Sequence, residues 1–512
     1  MATSPVVPRQ GNGPVNASLF LRRAYHSSAV LNRWLYIDGG EFSYLNGSAI
    51  SYQYLDSLIA IDLANNWSNS SVTLHEITKP SGAPSLRNGG VWVHRATGRL
   101  YIGFAGTNSQ FGGGYSFPQG LWSFTSDQAR AGSWENLNGS THDSFTNQPR
   151  PFRGQVASGD GFGFFLGGSV HDSDSTQPNL SGFTVYDFSS GQLTNSADAQ
   201  VPAPERQQYS GMTFVPNWGS RGILVSVGGY QDNNTRANGT APFKIARVYD
   251  VHHQRWFEQE TSGDLPQPRK EFCIAGAQSN NRTHDILVYA GWNGRAGPDA
   301  IPYDSAFVLT LPGFHWVRAD YPSEHPRHGH SCNAVGGGQI VAVGGVDTAY
   351  QGRETYIGVF DTADTFTQGL AIFDLSKLAW SPSYSAGRGL QTPAPRIQEY
   401  YNAKGRAPAS GFSSRDLEQL FSVDDFGDSD ESTSISGASY RRHSDVGAVV
   451  GSLVGVAAAL AVAGVVAYCA HRRRVRRARA RRYDSRARDN AASGLRKELS
   501  GVRDLHERRA NS

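Results

Sequence analysis

Short apolar runs that end in a pair of small residues recur along the chain. Each run has the length of a β-strand and is rich in the branched and aromatic residues that strands favour. The last glycines of the six runs are Gly40, Gly106, Gly168, Gly229, Gly291 and Gly345. They are separated by 66, 62, 61, 62 and 54 residues. Such even spacing indicates an internal repeat.

Further strand-like segments flank this run in each repeat. A second strand follows it and ends, in five of the six repeats, at a tryptophan: Trp67, Trp134, Trp256, Trp316 and Trp380. Another strand precedes it and opens, in four repeats, with the pattern R-x-x-[HYF]-[SC] at Arg23, Arg206, Arg269 and Arg327. The pattern predicts an all-β chain built from four-stranded units.

These motifs closely resemble the kelch repeat, which has a diglycine after its second strand and an aromatic residue further on. The segments RRAYHSSAVLNRWLYIDGGEFS and GLWSFT, together with a small-residue apolar segment near the C-terminus, resemble the fungal transmembrane kelch proteins of the galactose-oxidase central-domain superfamily. The resemblance implies a kelch-type β-propeller over residues 15–385. We count six blades, and seven would need a degenerate unit within 384–420.

The pattern ends after the last repeat. Residues 386–445 are rich in Ser, Pro and acidic residues, which predicts a disordered stalk with one short helix near Leu417. Residues 446–470 carry no charge and would form a helix about 37 Å long, enough to cross a hydrocarbon core of about 30 Å. A buried globular helix is the alternative, but such helices usually keep a polar stripe. We therefore predict a single transmembrane helix.

The charges after this span predict its orientation. Residues 471–512 carry 15 Lys and Arg against 5 Asp and Glu. An arginine cluster beside a span favours the cytoplasm and attracts anionic lipid, so we expect a cytoplasmic tail and an N-terminal domain outside. Small residues recur along the span at Gly447, Gly451 and Gly455. This face predicts a transmembrane homodimer.

Glycosylation sequons support the same orientation. Nine lie before the span and none after it: Asn16, Asn46, Asn66, Asn69, Asn138, Asn179, Asn233, Asn238 and Asn281. We expect the plasma membrane or the secretory pathway as the location. Residues 1–14, predicted to be unstructured, contain no apolar run typical of a signal peptide. We therefore expect that a signal segment is missing from this N-terminus.

Cysteines are few. Cys469 lies at the inner end of the predicted span, which leaves Cys273 and Cys332 for the outer domain. These two are candidates for one disulfide, as suits a secreted setting.

The remaining features favour recognition over catalysis. Residues 1–445 carry 32 basic and 39 acidic groups, a balance that argues against nucleic-acid binding. Long loops after the diglycines contain Phe111, Tyr115, Tyr350 and Tyr356, which could stack on a protein or carbohydrate ligand. We assign no catalytic, cofactor-binding or metal-binding residue. The predicted function is a non-catalytic binding or adhesion module at the cell surface.

Two alternatives stay open. The superfamily resemblance implies a copper-radical oxidase, whose copper is bound by Tyr and His and whose Cys is linked to a Tyr. The nearest match is PRHGHSC, with His328, His330 and Cys332, but His330 falls on a repeat position that holds other aromatic rings, so a structural role explains it better. The other alternative is a structural surface glycoprotein without a specific ligand.

Overall fold

The chain divides into two compact units, residues 1–438 and 439–512. The computed structural model describes nine stretches, all within the first unit: residues 16–111, 120–127, 132–138, 150–170, 182–196, 207–231, 242–295, 297–348 and 357–422. These stretches are nearly all β. The predicted all-β class is confirmed for this part of the chain.

Six sheets, numbered here in chain order, contain most of the described strands. Each is an antiparallel meander of four strands, and sheet 5 gains a short parallel fifth strand. Sheets 1 to 3 comprise Ser27–Leu31, Trp34–Asp38, Ser57–Asp62 and His75–Thr78; Trp92–His94, Arg99–Ile102, Trp122–Ser126 and Gly132–Asn136; and Gln155–Gly159, Phe162–Leu166, Phe183–Asp187 and Leu193–Ser196. Sheets 4 to 6 comprise Gly211–Val215, Ile223–Val227, Ile245–Asp250 and Arg255–Glu260; Cys273–Gln278, His284–Tyr289, Ala306–Leu311 and His315–Arg318, with Ser262–Gly263; and Ser331–Ala334, Gln339–Val343, Leu370–Asp374 and Ala379–Ser381.

The first strands of the six sheets lie side by side in a closed circuit. Each packs against the first strands of the sheets before and after it, and the first strand of sheet 6 packs against that of sheet 1. The described core is divided in the same way, into layers between neighbouring sheets. This arrangement is a β-propeller-like fold.

Burial on both faces explains the composition of the second strands of the sheets, which lead into the repeat glycines. All five residues of Ile223–Val227 are buried, as are all five of Gln339–Val343. A strand with a sheet on each side has no solvent face, so it reads as an apolar run rather than an alternating one. The tryptophans that end the repeats lie in or against the same layers, where Trp316 is fully buried and Trp380 half-buried.

Smaller elements extend this framework. A three-stranded sheet stands beside sheet 1, and three pairs of two-residue strands join neighbouring segments. They are Phe20–Ala24, Glu41–Asn46 and Ala49–Tyr54; Pro151–Phe152 with Ser169–Val170; Gln207–Gln208 with Tyr230–Gln231; and Trp67–Ser68 with Ser383–Tyr384. Single turns of 3-10 helix occur at Arg95–Thr97, Gly297–Asp299, Gly358–Phe360 and Thr367–Gly369.

A C-terminal strap, defined here as residues 383–422, crosses the end of the sheets where strands 1 and 2 of each sheet are joined. Ser383–Tyr384 pairs with Trp67–Ser68 beyond the third strand of sheet 1. Helix α1, Pro395–Lys404, then packs on the turn before the fourth strand of sheet 5, where the backbone N–H of Gly313 donates to the Tyr401 hydroxyl at 3.1 Å. Helix α2, Arg415–Ser422, follows and covers the turn between the first two strands of sheet 4.

The strap corrects part of the predicted stalk. Residues 386–422, predicted as disordered, contain α1 and α2, and only the short helix near Leu417 was anticipated. Three apolar residues at helical spacing, Leu417, Leu420 and Phe421, bury against sheets 4 and 5. The segment is ordered by this docking rather than by its own composition.

Among the described residues no helix is long and apolar enough to cross a membrane. The predicted span 446–470, its packing face Gly447, Gly451 and Gly455, and the tail 471–512 lie outside the described residues, as do 1–14 and 423–445. These predictions therefore stand as sequence predictions.

Candidate functional site

The segment before each first strand contains one residue in the left-handed backbone region. These six residues are Tyr25, Asn88, Arg153, Tyr209, Glu271 and Gly329, with φ values of 59, 49, 63, 54, 55 and 66°. Together with the side chains that pack against them they are called the mouth below. Left-handed backbone is uncommon for residues other than glycine. Its recurrence at the same place in all six repeats indicates that the architecture imposes it.

Backbone hydrogen bonds connect the mouth residues from repeat to repeat. The N–H of Asn88 donates to the carbonyl of Tyr25 at 2.8 Å, and the N–H of Tyr209 donates to that of Arg153 at 2.9 Å. Between the last and first repeats, the N–H of Tyr25 donates to the carbonyl of Gly329, also at 2.8 Å. The mouth therefore encircles the centre of the six sheets.

The diglycine turns lie at the same end and connect neighbouring repeats. The N–H of Gly40 donates to the carbonyl of Leu86 in the next repeat at 2.8 Å, and the N–H of Gly345 donates to that of Arg23 at 2.6 Å, which joins repeat six to repeat one. A Cβ on Gly40 would lie 2.5 Å from the backbone nitrogen of His26. A side chain would therefore clash here. The φ of Gly40 is also positive, at 75°, so both reasons favour glycine at this position. The six glycines predicted from the repeat all have positive φ.

Cations and aromatic rings alternate around the mouth. The Tyr209 ring lies between the Arg153 guanidinium, whose carbon is 5.3 Å from the ring centre, and the Lys270 Nζ atom at 5.2 Å. The Arg87 guanidinium carbon lies 4.8 Å from the centre of the Tyr25 ring. These contacts hold positive charge at the surface of the rings.

Two carboxylates lie among these cations. The buried Glu41 has its Oε2 atom 3.8 Å from the Nε atom of Arg87. Glu271 is 2.6 Å from the Nδ1 atom of His328 in the next repeat, and the His328 ring stacks on Trp292 with centres 4.7 Å apart. Although burial opposes it, the electrostatic interaction and hydrogen bond with His328, followed by the charge of Lys270, lower the pKa of Glu271. Glu271 is therefore ionised at neutral pH.

The two tyrosines of the mouth remain protonated. Burial, followed by the charge of Glu271, raises the pKa of Tyr25 and of Tyr209 well above the ordinary value. Each phenol is a hydrogen-bond donor at physiological pH. The Nε atom of Arg153 is buried and has no hydrogen-bond partner among the described residues. The mouth thus offers cations and donors suited to an acidic or hydroxyl-rich group.

Beside the mouth, the hairpin 41–54 packs against residues 109–111 and 357–361. The Phe111 ring packs 5.3 Å from Tyr52 and 5.0 Å from Phe360, centre to centre. Ser43 Oγ donates to the carbonyl of Phe360 at 2.6 Å. Two of the long loops that follow diglycines therefore meet here, while Tyr115, Tyr350 and Tyr356 lie outside the described residues.

The two outer-domain cysteines lie close below the mouth. Cys273 and Cys332 lie at the start of neighbouring first strands and form a disulfide, with their Cα atoms 5.3 Å apart. A ring nitrogen of His330 lies within 4.8 Å of both sulfurs. Burial, followed by the charges of Arg327, His328 and His26, lowers the pKa of His330 well below the ordinary value. Its imidazole is neutral at physiological pH.

The described sequons differ in exposure. Asn16, Asn46 and Asn66 are exposed, whereas Asn69, Asn138 and Asn281 are half-buried. The side-chain nitrogen of Asn69 donates to the carbonyl of Leu370 at 3.2 Å. The remaining sequons, Asn179, Asn233 and Asn238, lie outside the described residues.

Sequence reasoning missed the mouth as a site. Repeat alignment by the R-x-x-[HYF]-[SC] pattern placed Tyr209 with His26 and His330. The structure instead places Tyr209 with Tyr25 and Glu271, one position earlier, because its backbone has positive φ and joins the hydrogen-bonded circuit. The available signal was positional, because five of the six residues lie two before the first strand of their sheet, and Asn88 lies four before it.

Comparison with known proteins agrees with the repeat. No family model matches the chain. The chain is 25% identical over 428 residues to a protein of Arthroderma benhamiae described as a kelch repeat-containing protein, across 76% of this chain and 60% of that protein. The chain thus spans less than two thirds of this relative. Together with the six diglycine strands and the β-propeller-like fold, this similarity supports placing the chain among the kelch-repeat proteins.

Proposed function

We propose that the chain is a membrane-anchored kelch propeller of six blades that binds a ligand at its mouth without catalysing a reaction. The observation that carries this proposal is the mouth itself. Six different repeats each supply one residue to a single circuit, and five of those residues have side chains that can bind. A rigid scaffold that presents loop residues at one place is typical of recognition.

The closed circuit of first strands supports the count of six blades. Six core layers separate the six sheets, and one of them lies between sheets 6 and 1. Residues 384–420, where a seventh unit would have to lie, contribute the end of a two-residue strand, α1 and most of α2 to the strap. Closure removes exposed sheet edges, which favours a complete ring.

Membrane anchoring rests on the sequence. The uncharged segment 446–470 and the arginine-rich tail after it would place the propeller outside the cytoplasm, at the plasma membrane or in the secretory pathway. The last described residue, Ser422, lies at the strap end of the sheets, away from the mouth. A homodimer through Gly447, Gly451 and Gly455 belongs to the same proposal. Resistance of the full chain to alkaline extraction from membranes tests the anchor, and sensitivity of its electrophoretic mobility to N-glycosidase tests the orientation.

The chemistry of the mouth narrows the ligand to a protein or carbohydrate with acidic or hydroxyl groups. Arg87, Arg153 and Lys270 supply positive charge, and Tyr25 and Tyr209 supply donors. Carboxylates and sugar hydroxyls are suited to both. The tail would contact anionic lipid, and nucleic acid is not an expected partner.

The test is a binding measurement on cells that display the full chain. Soluble purified polysaccharides and surface proteins are screened, and any hit is measured on Lys270→Ala and Arg153→Ala variants. Loss of one charged contact should weaken binding about tenfold. Lys377→Ala is the matched control, because Lys377 is exposed and follows a strand at the opposite end of sheet 6.

Three results would contradict the proposal. Equal affinity of wild type and both mouth variants for a bound ligand would place binding elsewhere. A displayed, folded chain that binds nothing in either panel would favour the structural glycoprotein. A copper-radical oxidase would reveal itself by bound copper and sugar-dependent peroxide. Cys332, the cysteine that such a site would link to a tyrosine, is bonded here to Cys273.

A further inference from the structure

The cysteine pair joins two inner strands at the centre of the fold. Cys273 is the first residue of strand 1 of sheet 5, and Cys332 is the second residue of strand 1 of sheet 6. These two strands pack against each other in the closed circuit. Cys273 is buried and Cys332 half-buried. The pair therefore bridges neighbouring repeats where water has little access.

His330 completes a set of three potential metal ligands. Its side chain is 8% exposed, and neither ring nitrogen has a well-formed hydrogen bond with the described residues, although the backbone carbonyl of Tyr289 lies near. Buried polar atoms normally have a partner, so an imidazole without one needs an explanation. Its ligand atom and the two sulfurs all lie within 4.8 Å of one another.

We propose that, once the disulfide is reduced, Cys273, Cys332 and His330 bind one zinc ion. Two thiolates and one imidazole are ligands that zinc prefers, at about 2.3 Å for sulfur and about 2.0 Å for nitrogen. Three ligands at these distances from one ion lie about 3–4 Å apart. The two sulfurs, bonded to each other here, would have to move apart to that separation once the disulfide is reduced, while the His330 nitrogen already lies within 4.8 Å of both. A fourth position remains for water.

Reduction of the disulfide needs an added reductant and no further group of the protein. A dithiol or phosphine reductant supplies two electrons, the S–S bond breaks, and the sulfurs take up two protons. Zinc then displaces those protons to solvent as it binds the thiolates. His330 contributes a neutral nitrogen and releases no proton.

The consequence is a cross-link between sheets 5 and 6 under both oxidising and reducing conditions. The disulfide joins the two inner strands when it is formed, and the metal joins them when it is reduced. Because Glu271 and His328 of the mouth lie two and four residues from the two cysteines, the same cross-link supports the binding face.

The test uses the full chain with cobalt as the spectroscopic probe and zinc as the competitor. After reduction with a phosphine, one equivalent of cobalt per chain should produce thiolate-to-cobalt absorbance, and zinc should abolish it. The unreduced chain should bind neither. Zinc should also raise the melting temperature of the reduced chain alone, since a ligand that binds only the folded state stabilises it.

Matched variants separate this site from adventitious binding. His330→Phe places the residue found at the equivalent position of sheet 5, Phe272, so the fold is expected to tolerate it. It should weaken cobalt binding at least about 100-fold, since loss of an outer-shell partner alone costs 10–100-fold. Cys273→Ser should abolish the charge-transfer band, and His252→Gln, at an exposed histidine of sheet 4, should keep it. Absence of binding in the reduced wild type, or unchanged binding in a His330→Phe variant with a normal melting temperature, would overturn the proposal.

Discussion

The two ends of the sheets are built from different kinds of residues. At the mouth end, backbone in the left-handed region and charged side chains such as Arg153 and Glu271 surround the centre. At the other end the strap buries apolar anchors, Leu417 and Phe421 among them, against the turns. Left-handed backbone also occurs at the strap end, for example at Asn32 and Phe314. The two ends therefore differ in the side chains that they bring together, which are charged and aromatic at the mouth and apolar at the strap.

This difference suggests how the fold divides its tasks. Unusual backbone and buried charge lower stability, so they persist only where the surrounding structure holds them in place. The strap supplies some of that support by joining sheets 1, 5 and 4 in one continuous segment. Changes at the strap should therefore alter stability, and changes at the exposed side chains of the mouth should alter binding. Four predictions test this division.

The largest effect is expected at a buried ion pair near the mouth. The guanidinium of Arg327 is 2.9 Å from the carboxylate of Asp364, and their side chains are 0% and 1% exposed. Asp364→Ala would leave a buried cation without its partner and should lower the free energy of unfolding by about 3–5 kcal/mol. Urea denaturation measures it. The control Glu135→Ala breaks an exposed pair with Arg99 and should cost less than about 1 kcal/mol. If the two variants lose similar free energy of unfolding, the Arg327–Asp364 pair does not behave as a buried ion pair.

A comparable effect is expected at the strap. Leu417 is fully buried, so Leu417→Ala should lower the free energy of unfolding by about 2–5 kcal/mol. Glu418→Ala changes the exposed neighbour and should stay within about 0.5 kcal/mol. A disordered stalk would make the two variants equal, and that result would refute the docking of α2.

A smaller effect, dependent on pH, is expected under the strap. Burial raises the pKa of Asp285 to about 6. The folded chain then holds this proton more tightly than the unfolded chain, so stability falls as pH rises from about 4 to about 6. A shift of two units corresponds to at most about 3 kcal/mol. Asp285→Asn should remove this slope in denaturation curves recorded between pH 4 and 7.

The surroundings of Asp285 allow that substitution. The Asp285 carboxylate accepts two hydrogen bonds, one from Thr310 Oγ1 at 2.6 Å and one from Gln391 Nε2 at 3.1 Å. Gln391 Oε1 has no partner among the described residues. If the Gln391 amide rotates, this oxygen can accept a hydrogen bond from the side-chain N–H that the asparagine introduces. Asp374→Asn is the control of opposite sign, because hydrogen bonds from Ser376 and Arg388 outweigh burial and lower the pKa of Asp374. Identical slopes in wild type and Asp285→Asn would contradict the prediction.

The smallest effect is expected from a pair of glycines near the mouth. Gly40→Ala would bring a Cβ within 2.5 Å of backbone, and Gly47→Ala would meet nothing within 4 Å, though both have positive φ. We expect about 1–3 kcal/mol for the first and about 1 kcal/mol for the second. Thermal melting compares them. If Gly47→Ala destabilises the protein as much as Gly40→Ala does, the positive φ alone, and not the close approach of neighbouring repeats, would explain why the repeats have glycine there.

The repeat, the strand class and the six diglycine positions could be predicted from the sequence. They depend on local patterns, since a strand buried on both sides must be apolar and a turn that touches its neighbour must be glycine. The strap could not be predicted as ordered, because its few apolar residues are buried only when sheets 4 and 5 provide a surface against which they pack. Helix α2, with Leu417, Leu420 and Phe421 at helical spacing, was the one part with a local signal.

The mouth shows the same limit more strongly. Tyr25, Arg153 and Glu271 share no residue type and lie in different repeats, so no motif connects them. Their proximity follows from closure of the circuit, which brings residue 25 against residue 329. The sequence by itself determined the repeating unit and its glycine turns, because those are properties of neighbouring residues. Only the tertiary structure decided which side chains meet at the centre, because ring closure is a contact between the two ends of the repeat array.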